Sequence, residues 1–165
     1  MRFGNNEQNF YLSVKDVRAA LDAMITASSD NPHAVLRSLR IVHKVVTDPD
    51  LPPIDHEINY PVFRVLIDAI EQGLSKQRRV LGVESEVGDD QTYESCISYI
   101  RVDAQTQSVE LIGWSALYYC YVRVDLGLSI EQFATEANIA VRTLRRYRNR
   151  AVERLTNNLI DLESQ

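Results

Sequence analysis

The spacing of apolar side chains predicts helices along most of the chain. The first helix begins after Ser13, an N-cap residue type that has Asp16 three residues later, so that side chains can bond the free N–H groups of the first turn. The apolar positions that follow recur at intervals of three and four residues, which places them on one helical face. They are Val14, Val17, Leu21, Met24 and Ile25.

Two further amphipathic segments follow, each with a proline in its first turn. The second helix is capped by Asn31, contains Pro32 and ends at the turn TDPDLPP, and the third begins near Asn59 or Tyr60 and contains Pro61. Three amphipathic segments joined by Pro- and Asp-rich turns predict a helical bundle over the N-terminal part of the chain, up to position 80. The apolar stripes comprise Val35, Leu36, Leu39, Val42, Val45 and Val46, and then Val62, Val65, Leu66, Ala69, Ile70 and Leu74.

Residues 81–108 form the predicted connection between the module of residues 1–80 and a C-terminal domain over residues 109–165. The connection starts with two glycines among several acidic residues, which is typical of an exposed loop. Its later segment, YESCISYIRV, fits a short helix or, by alternation of its apolar residues, a strand, and the helix is favoured. The C-terminal domain opens with VELIGWSALYYCYVRVDLG, which predicts a long apolar helix ending at Gly127.

From Ser129 the sequence predicts a short helix, a tight turn and a second helix. Ser129 is an N-cap type with Gln132 at the capping-box position. Asn138 tolerates the left-handed conformation that a tight turn needs, and the second helix starts near Val141. The predicted fold is mostly α, with an N-terminal helical bundle followed by a C-terminal helix-turn-helix. The inward positions of the short helix are Ile130, Phe133, Ala134 and Ala137.

This pattern resembles the helix-turn-helix of bacterial transcription regulators, in the form shared by sigma factor region 4 and LuxR-type domains. The resemblance covers residues 115–160. Two positions depart from the usual pattern: Asn138 stands where Gly is commonest, and Ala140 replaces a Ser or Thr cap, which removes a capping hydroxyl and a phosphate contact. The matching positions are Ala134 where the helices cross, Ile139 after the turn, and Leu144 and Tyr147 on the second helix.

Charge is distributed unevenly along the chain, whose formal net charge is −5. Residues 1–125 carry 12 Lys/Arg against 18 Asp/Glu, a balance of −6, whereas residues 142–155 carry six Arg and one Glu, a balance of +5. Because affinity for a polyanion follows the local field, an acidic body with one basic segment is compatible with DNA binding and disfavours non-specific coating.

Within the basic segment, a helical wheel separates two faces. Leu144, Tyr147, Ala151, Leu155 and Leu162 form an apolar stripe that seats the helix. Since the sole acid in the run is Glu153, the arginines of the outward face lack local partners. Arg148 lies near the edge of the stripe, where it either covers the domain edge or reaches a flanking phosphate, and Arg154 lies too far along the helix to reach bases. The outward face comprises Arg142, Arg145, Arg146 and Asn149.

The resemblance implies that the first two turns of the second helix enter the major groove of double-stranded DNA. Arginine forks recognise guanine and the Asn149 amide recognises adenine, while Thr143 is placed for a phosphate. The predicted DNA-binding residues are Arg142, Thr143, Arg145, Arg146 and Asn149, and the implied function is sequence-dependent DNA binding in bacterial transcription regulation.

A single DNA-binding helix-turn-helix of this size usually needs to form a dimer for sequence specificity. The N-terminal helices and the terminal segment TNNLIDLESQ are the two candidate dimer surfaces. The chain from YYCYVRV to AVERL is also similar to helix-turn-helix modules at the front of STAND-type signalling NTPases. That resemblance implies an adaptor or regulatory module that contacts a protein partner without DNA binding. A small structural or phage-derived helical protein is a third alternative.

Catalytic and metal-binding signatures are absent from the sequence. No GxxxxGK[ST], GxSxG, HExxH or paired CxxC motif occurs, so we expect neither an enzyme nor a cofactor. Asp55, His56 and Glu57 are adjacent on one loop, and adjacent residues rarely converge on an ion without ligands from elsewhere. Because His33 and His43 belong to another segment, no metal site is expected.

The remaining composition favours a cytoplasmic protein. Cys96 and Cys120 are 24 residues apart in apolar segments, which predicts buried free thiols in a reducing compartment. No apolar run approaches the roughly 20 residues that span a bilayer, and no signal segment is recognised at the start. Trp114 and the neighbouring tyrosines have helical spacing, which is more typical of core side chains than of a base-stacking surface. These tyrosines are Tyr118, Tyr119 and Tyr121.

Overall fold

The structure is a computed structural model that describes residues 12–26, 34–47, 60–84, 87–88 and 92–165. Of these residues 82% are helical and none lies in a β-strand, so the fold is mostly α. The α-helices are α1 (Val14–Thr26), α2 (Ala34–Arg37), α3 (Arg40–Thr47), α4 (Tyr60–Val80), α5 (Tyr93–Gln105), α6 (Val109–Leu117), α7 (Ile130–Ala137) and α8 (Val141–Glu163).

Helix α1 starts where the sequence predicts. Asp16 Oδ2 accepts hydrogen bonds from the Ser13 backbone N–H at 3.0 Å and from its hydroxyl at 2.8 Å. Val17 and Leu21 are buried as predicted, but Val14 is 37% and Ile25 51% exposed, so the prediction was wrong for these two. They lie at the two ends of α1, whereas its buried residues lie between Val17 and Ala23.

The second predicted helix is interrupted. It is divided into α2 and α3 at Ser38 and Leu39, where the Ser38 hydroxyl donates a 2.7 Å hydrogen bond to the Val35 carbonyl. The first turn of α3 is capped from the far end of the chain, since the Glu163 carboxylate accepts from the backbone N–H groups of Arg40 at 2.8 Å and Ile41 at 3.2 Å. The predicted caps before α2 and α4 lie outside the described residues. The apolar stripe predicted one helix because its spacing continues across the break.

Helix α5 confirms the helical interpretation of YESCISYIRV. The Thr92 hydroxyl accepts from the Ser95 N–H at 3.1 Å, and the Ser95 hydroxyl accepts from the Thr92 N–H at 3.1 Å, which completes a capping box. Cys96 and Ile97 are buried against the core. The predicted connection between the two modules therefore contains a helix that belongs to the core.

A buried ion pair joins α4 to α5. The Arg78 guanidinium donates to both carboxylate oxygens of Asp103, at 3.1 and 2.9 Å, and both residues are at most 1% exposed. The same guanidinium donates to the Tyr119 hydroxyl at 2.9 Å, and Ser115 donates to Asp103 at 2.8 Å. Burial alone would lower the pKa of Arg78, but the hydrogen bond and charge of Asp103 outweigh it and hold the pKa above its ordinary value.

The apolar helix predicted up to Gly127 changes form along its length. Helix α6 continues into a π-helical turn over Tyr118–Val122, where the Arg123 N–H donates to the Tyr118 carbonyl at 3.0 Å, and then into a 3₁₀ turn over Val124–Leu126. Gly127 ends it with a left-handed φ of 62°. The aromatic and cysteine side chains of this stretch are buried, and neither Cys120 nor Cys96 of α5 forms a disulfide, as the sequence predicts.

Helices α6 and α8 approach at backbone distance. Every residue of α6 from Leu111 to Leu117 is buried. A methyl group added to Gly113 would lie 2.6 Å from the Tyr147 carbonyl oxygen, closer than real side-chain atoms come, and 3.0 Å from the Ala151 side chain, which is a tight contact. The hydrophobic core that surrounds α6 is continuous from α1 to α8 across the described residues, so it spans the predicted boundaries at residues 80 and 108.

We expect Gly113→Ala to lower the free energy of unfolding by about 1–3 kcal/mol, because the added methyl overlaps α8. Helix propensity alone would raise it by about 1 kcal/mol, so the sign of the change separates the two effects. Urea denaturation followed by circular dichroism measures it. A more stable variant would contradict the close approach of α6 and α8.

We expect Asp103→Ala to lower the free energy of unfolding by about 3–5 kcal/mol, because it leaves the Arg78 charge buried without a counter-ion. The double variant Arg78→Met with Asp103→Leu removes both charges and is expected to be clearly more stable than the single variant. Denaturant titration of the fluorescence of Trp114, the single tryptophan, measures both. A single variant as stable as the double variant would refute the buried pair.

Candidate nucleic-acid interface

Helix α7 is fixed at its start by the predicted capping box. The Ser129 hydroxyl accepts from the Gln132 N–H at 3.1 Å, and Gln132 Oε1 accepts from the Ser129 N–H at 2.8 Å. Phe133, Ala134 and Ala137 are buried as predicted. The short helix therefore has a defined N-terminus and a defined inner face.

A three-residue turn joins α7 to α8. Asn138 has φ 55° and ψ 47°, the left-handed conformation that the sequence predicts for it. The N–H of Ile139 donates to the Ala134 carbonyl at 3.0 Å, a bond that closes the end of a helix. Ala140 is extended and provides no side-chain cap to α8, so the predicted loss of a capping hydroxyl is present.

Helix α8 is seated along an apolar stripe. Leu144, Ala151 and Leu155 are buried as predicted and Tyr147 is half-buried. Leu162 is 38% exposed, so its assignment to the stripe was wrong. In the second half of α8 a different set of side chains is buried, and Leu162 lies outside that set. These buried side chains are Val152, Thr156 and Leu159.

The predicted DNA-binding residues occupy the first two turns of α8, but their surroundings differ. Arg142, Arg145 and Arg146 are exposed, and Thr143 and Asn149 are half-buried. Among the ion pairs of the described residues, none includes Arg142 or Arg146. These two guanidinium groups, four residues apart and one helical turn from each other, are the most open part of the predicted face.

Arg145 has a partner on α7. Its Nη2 lies 2.9 Å from Glu131 Oε1, and the two side chains are 52% and 57% exposed. The expectation that Arg145 lacks a local partner was therefore wrong, because the acid lies on the preceding helix. Hydrogen bonding to its own backbone N–H and to Arg145 holds the pKa of Glu131 below its ordinary value. An ion pair this exposed stabilises the fold very little, so Arg145 can exchange partners.

Asn149 is bound from the N-terminal part of the chain. Its side-chain oxygen accepts a hydrogen bond from Arg18 Nη2 of α1 and a longer one, at 3.5 Å, from Arg148 Nη2. Arg18 lies 131 residues before its partner and is not among the predicted site residues. Periodicity places Arg18 at the edge of the apolar stripe of α1, beside Val14 and Ile25, and no pattern within α1 indicates that α8 lies beside it.

Two further arginines of α8 contact residues outside the predicted DNA-binding set. Burial raises the pKa of the Tyr121 hydroxyl, and the charge of Arg148 and a hydrogen bond from it act in the opposite direction. Arg154 donates to the Glu110 carboxylate of α6. Both positions agree with the sequence, which places Arg148 at the edge of the stripe and Arg154 beyond the reach of bases.

The described residues contain no group of three or more His, Cys, Asp or Glu side chains that is placed to hold a metal ion. The segment with Asp55, His56 and Glu57 lies outside them. None of the described helices combines the length and the apolar character needed to cross a membrane.

Comparison of the chain with protein-family models, with curated proteins and with solved structures found no match.

Proposed function

We propose that this protein binds double-stranded DNA through α7 and α8, which act as a helix-turn-helix, and that it functions in bacterial transcription regulation in the cytoplasm. One observation carries the proposal. Arg142 and Arg146 project to solvent from the first two turns of a helix whose opposite side is seated in the core. The first turns of a recognition helix are the part that contacts base edges.

Each outward residue has a distinct role in this proposal. Arg142 and Arg146 enter the major groove, where an arginine fork binds the O6 and N7 atoms of guanine. Arg145 exchanges its exposed partner Glu131 for the DNA backbone, and Thr143 binds a phosphate. Asn149 would read adenine only after releasing Arg18, since bidentate recognition needs both its oxygen and its nitrogen. Direct reading therefore falls mainly on the two open arginines.

The proposal includes a homodimer, because one helix-turn-helix of this size gives limited sequence specificity. The end of α8 supports the terminal segment as a dimer surface, since Ile160 and Leu162 expose 37% and 38% of their surface there. Neither a cofactor nor catalysis forms part of this proposal.

A protein-contact role is the second candidate function. It is favoured by the engagement of two predicted base-contacting residues within the protein, Arg145 by Glu131 and Asn149 by Arg18. In that case α7 and α8 form an adaptor module of the kind found in STAND-type NTPases, and the remaining arginines bind an acidic protein partner.

We expect the affinity for a duplex selected from a random pool to fall steeply with salt, and Arg146→Ala to weaken it by about 1–3 kcal/mol, because a guanine contact is lost. Fluorescence anisotropy measures both. Arg154→Ala is the matched control, since it removes the same charge from an exposed position of the same helix, where Arg154 binds Glu110. Failure to bind any duplex of the pool at low salt would refute DNA binding and favour the adaptor function.

We expect Glu131→Gln to strengthen DNA binding, because Arg145 no longer has to break its ion pair with Glu131 before it contacts the DNA backbone. The salt exponent, the slope of log affinity against log salt concentration, is expected to stay the same, since the number of phosphate contacts does not change. Glu136→Gln is the control on the same helix, since it removes an equal charge but Glu136 binds Arg101 of α5 at 2.8 Å. Equal effects of the two variants would show that net charge alone matters and that Arg145 is not a DNA contact.

A further inference from the structure

Helix α1 brings a guanidinium group to the side of α8. Arg18 is exposed, and its Nη2 donates to Asn149 Oδ1 on the second turn of α8. Asn149 lies three residues after Arg146, which on a helix makes the two side chains neighbours. Arg18 therefore extends the basic surface of α8 laterally, although it belongs to the opposite end of the chain.

The position of Arg18 is fixed by the packing of α1. The neighbours of Arg18 on α1 are inside the core: Val17 and Ala20 are 0% exposed and Leu21 is 1% exposed. The backbone that carries Arg18 is therefore held against α8 before any ligand binds. A side chain that is already positioned loses less conformational entropy on binding than a mobile one. Immobilising a mobile side chain costs about 0.5–1.5 kcal/mol.

Two positive groups converge on one neutral acceptor at this point. Arg148 Nη2 lies 3.5 Å from the same Asn149 oxygen that binds Arg18. An amide oxygen carries no charge that could neutralise them, and none of the ion pairs of the described chain involves Arg18 or Arg148. Adjacent like charges repel, so an anion placed between the two guanidinium groups would relieve that repulsion.

We propose that Arg18 and Arg148 form a binding site for a phosphate of the DNA backbone, next to the region where Arg142 and Arg146 contact bases. Planar guanidinium forks match the geometry of phosphate oxygens. The site rests on the proposed DNA-binding function and adds to it a contact from α1, so that the interface is built from both ends of the chain. Asn149 acts here as the positioning residue that holds the two guanidinium groups together.

The variants Arg18→Ala and Arg18→Gln test the site. Each is expected to weaken duplex binding about eightfold at about 0.1 M salt and to lower the salt exponent by about 0.9, the contribution of one phosphate contact. The loss is expected to be the same for the selected duplex and for unrelated duplexes, because phosphate contacts carry no sequence information. Arg18→Gln keeps a donor for Asn149, so an equal loss in both variants assigns the effect to charge rather than to the orientation of Asn149.

Lys44→Ala is the matched control. Lys44 is an exposed cation on α3. The start of that helix bonds to Glu163 at the far end of α8. Removal of the Lys44 charge is expected to leave the salt exponent unchanged. An Arg18→Ala variant that behaves like Lys44→Ala would overturn the phosphate site while leaving DNA binding intact. Tighter binding by Arg18→Ala would also overturn it, since α1 would then obstruct the DNA. A wild-type protein that binds no duplex would overturn the proposed function itself.

Inorganic phosphate separates a DNA site from a site for free anions. Phosphate is expected to compete with the duplex no more strongly than chloride at equal ionic strength. The reason is that the two guanidinium groups bind a phosphodiester that neighbouring DNA contacts have already positioned, and free phosphate lacks those contacts. Selective competition by phosphate, lost in Arg18→Ala, would overturn the assignment to the DNA backbone and identify a free-anion site.

Discussion

The backbone contact between α6 and α8 at Gly113 is the constraint on which the rest of the structure depends. Helix α6 is buried on all sides, so its neighbours must form a shell around it. Because Gly113 has no side chain, α8 can place the Tyr147 carbonyl and the Ala151 methyl directly against it. This contact fixes which side of α8 packs against α6. It therefore also fixes the opposite side, from which Arg142 and Arg146 project.

The buried pair of Arg78 and Asp103 acts on the same arrangement by a different mechanism. A buried ion pair contributes little net stability, since desolvation of the charges offsets their attraction. Its hydrogen bonds to Tyr119 and Ser115 nevertheless require α4, α5 and the α6 segment to meet in one geometry. Apolar packing alone tolerates shifts of helices along one another, whereas a charge left unpaired in the core costs several kcal/mol. The network therefore selects one register of the helices around α6.

Local features of the fold could be predicted from the sequence, and long-range ones could not. The capping box at Ser129 and the left-handed Asn138 depend on a few neighbouring residues, so their chemistry is visible in the sequence. The break at Ser38 was missed because the apolar spacing continues across it. Contacts between distant segments leave no periodic signal, and three of them define the site and its surroundings. They are Arg18 with Asn149, Arg145 with Glu131, and Glu163 with the start of α3.

These internal contacts change what the basic segment is suited to do. If all of its outward side chains were free, bases and phosphates would compete for them equally. In the structure Asn149 holds Arg18, and Glu131 holds Arg145 in an exposed pair that ions or phosphate oxygens can replace at little cost. Arg142 and Arg146 remain exposed without such partners among the ion pairs of the described residues. Under the proposed function, this division would assign base contacts to the two open arginines and backbone contacts to the engaged residues, so that phosphate contacts set the register while base contacts provide specificity.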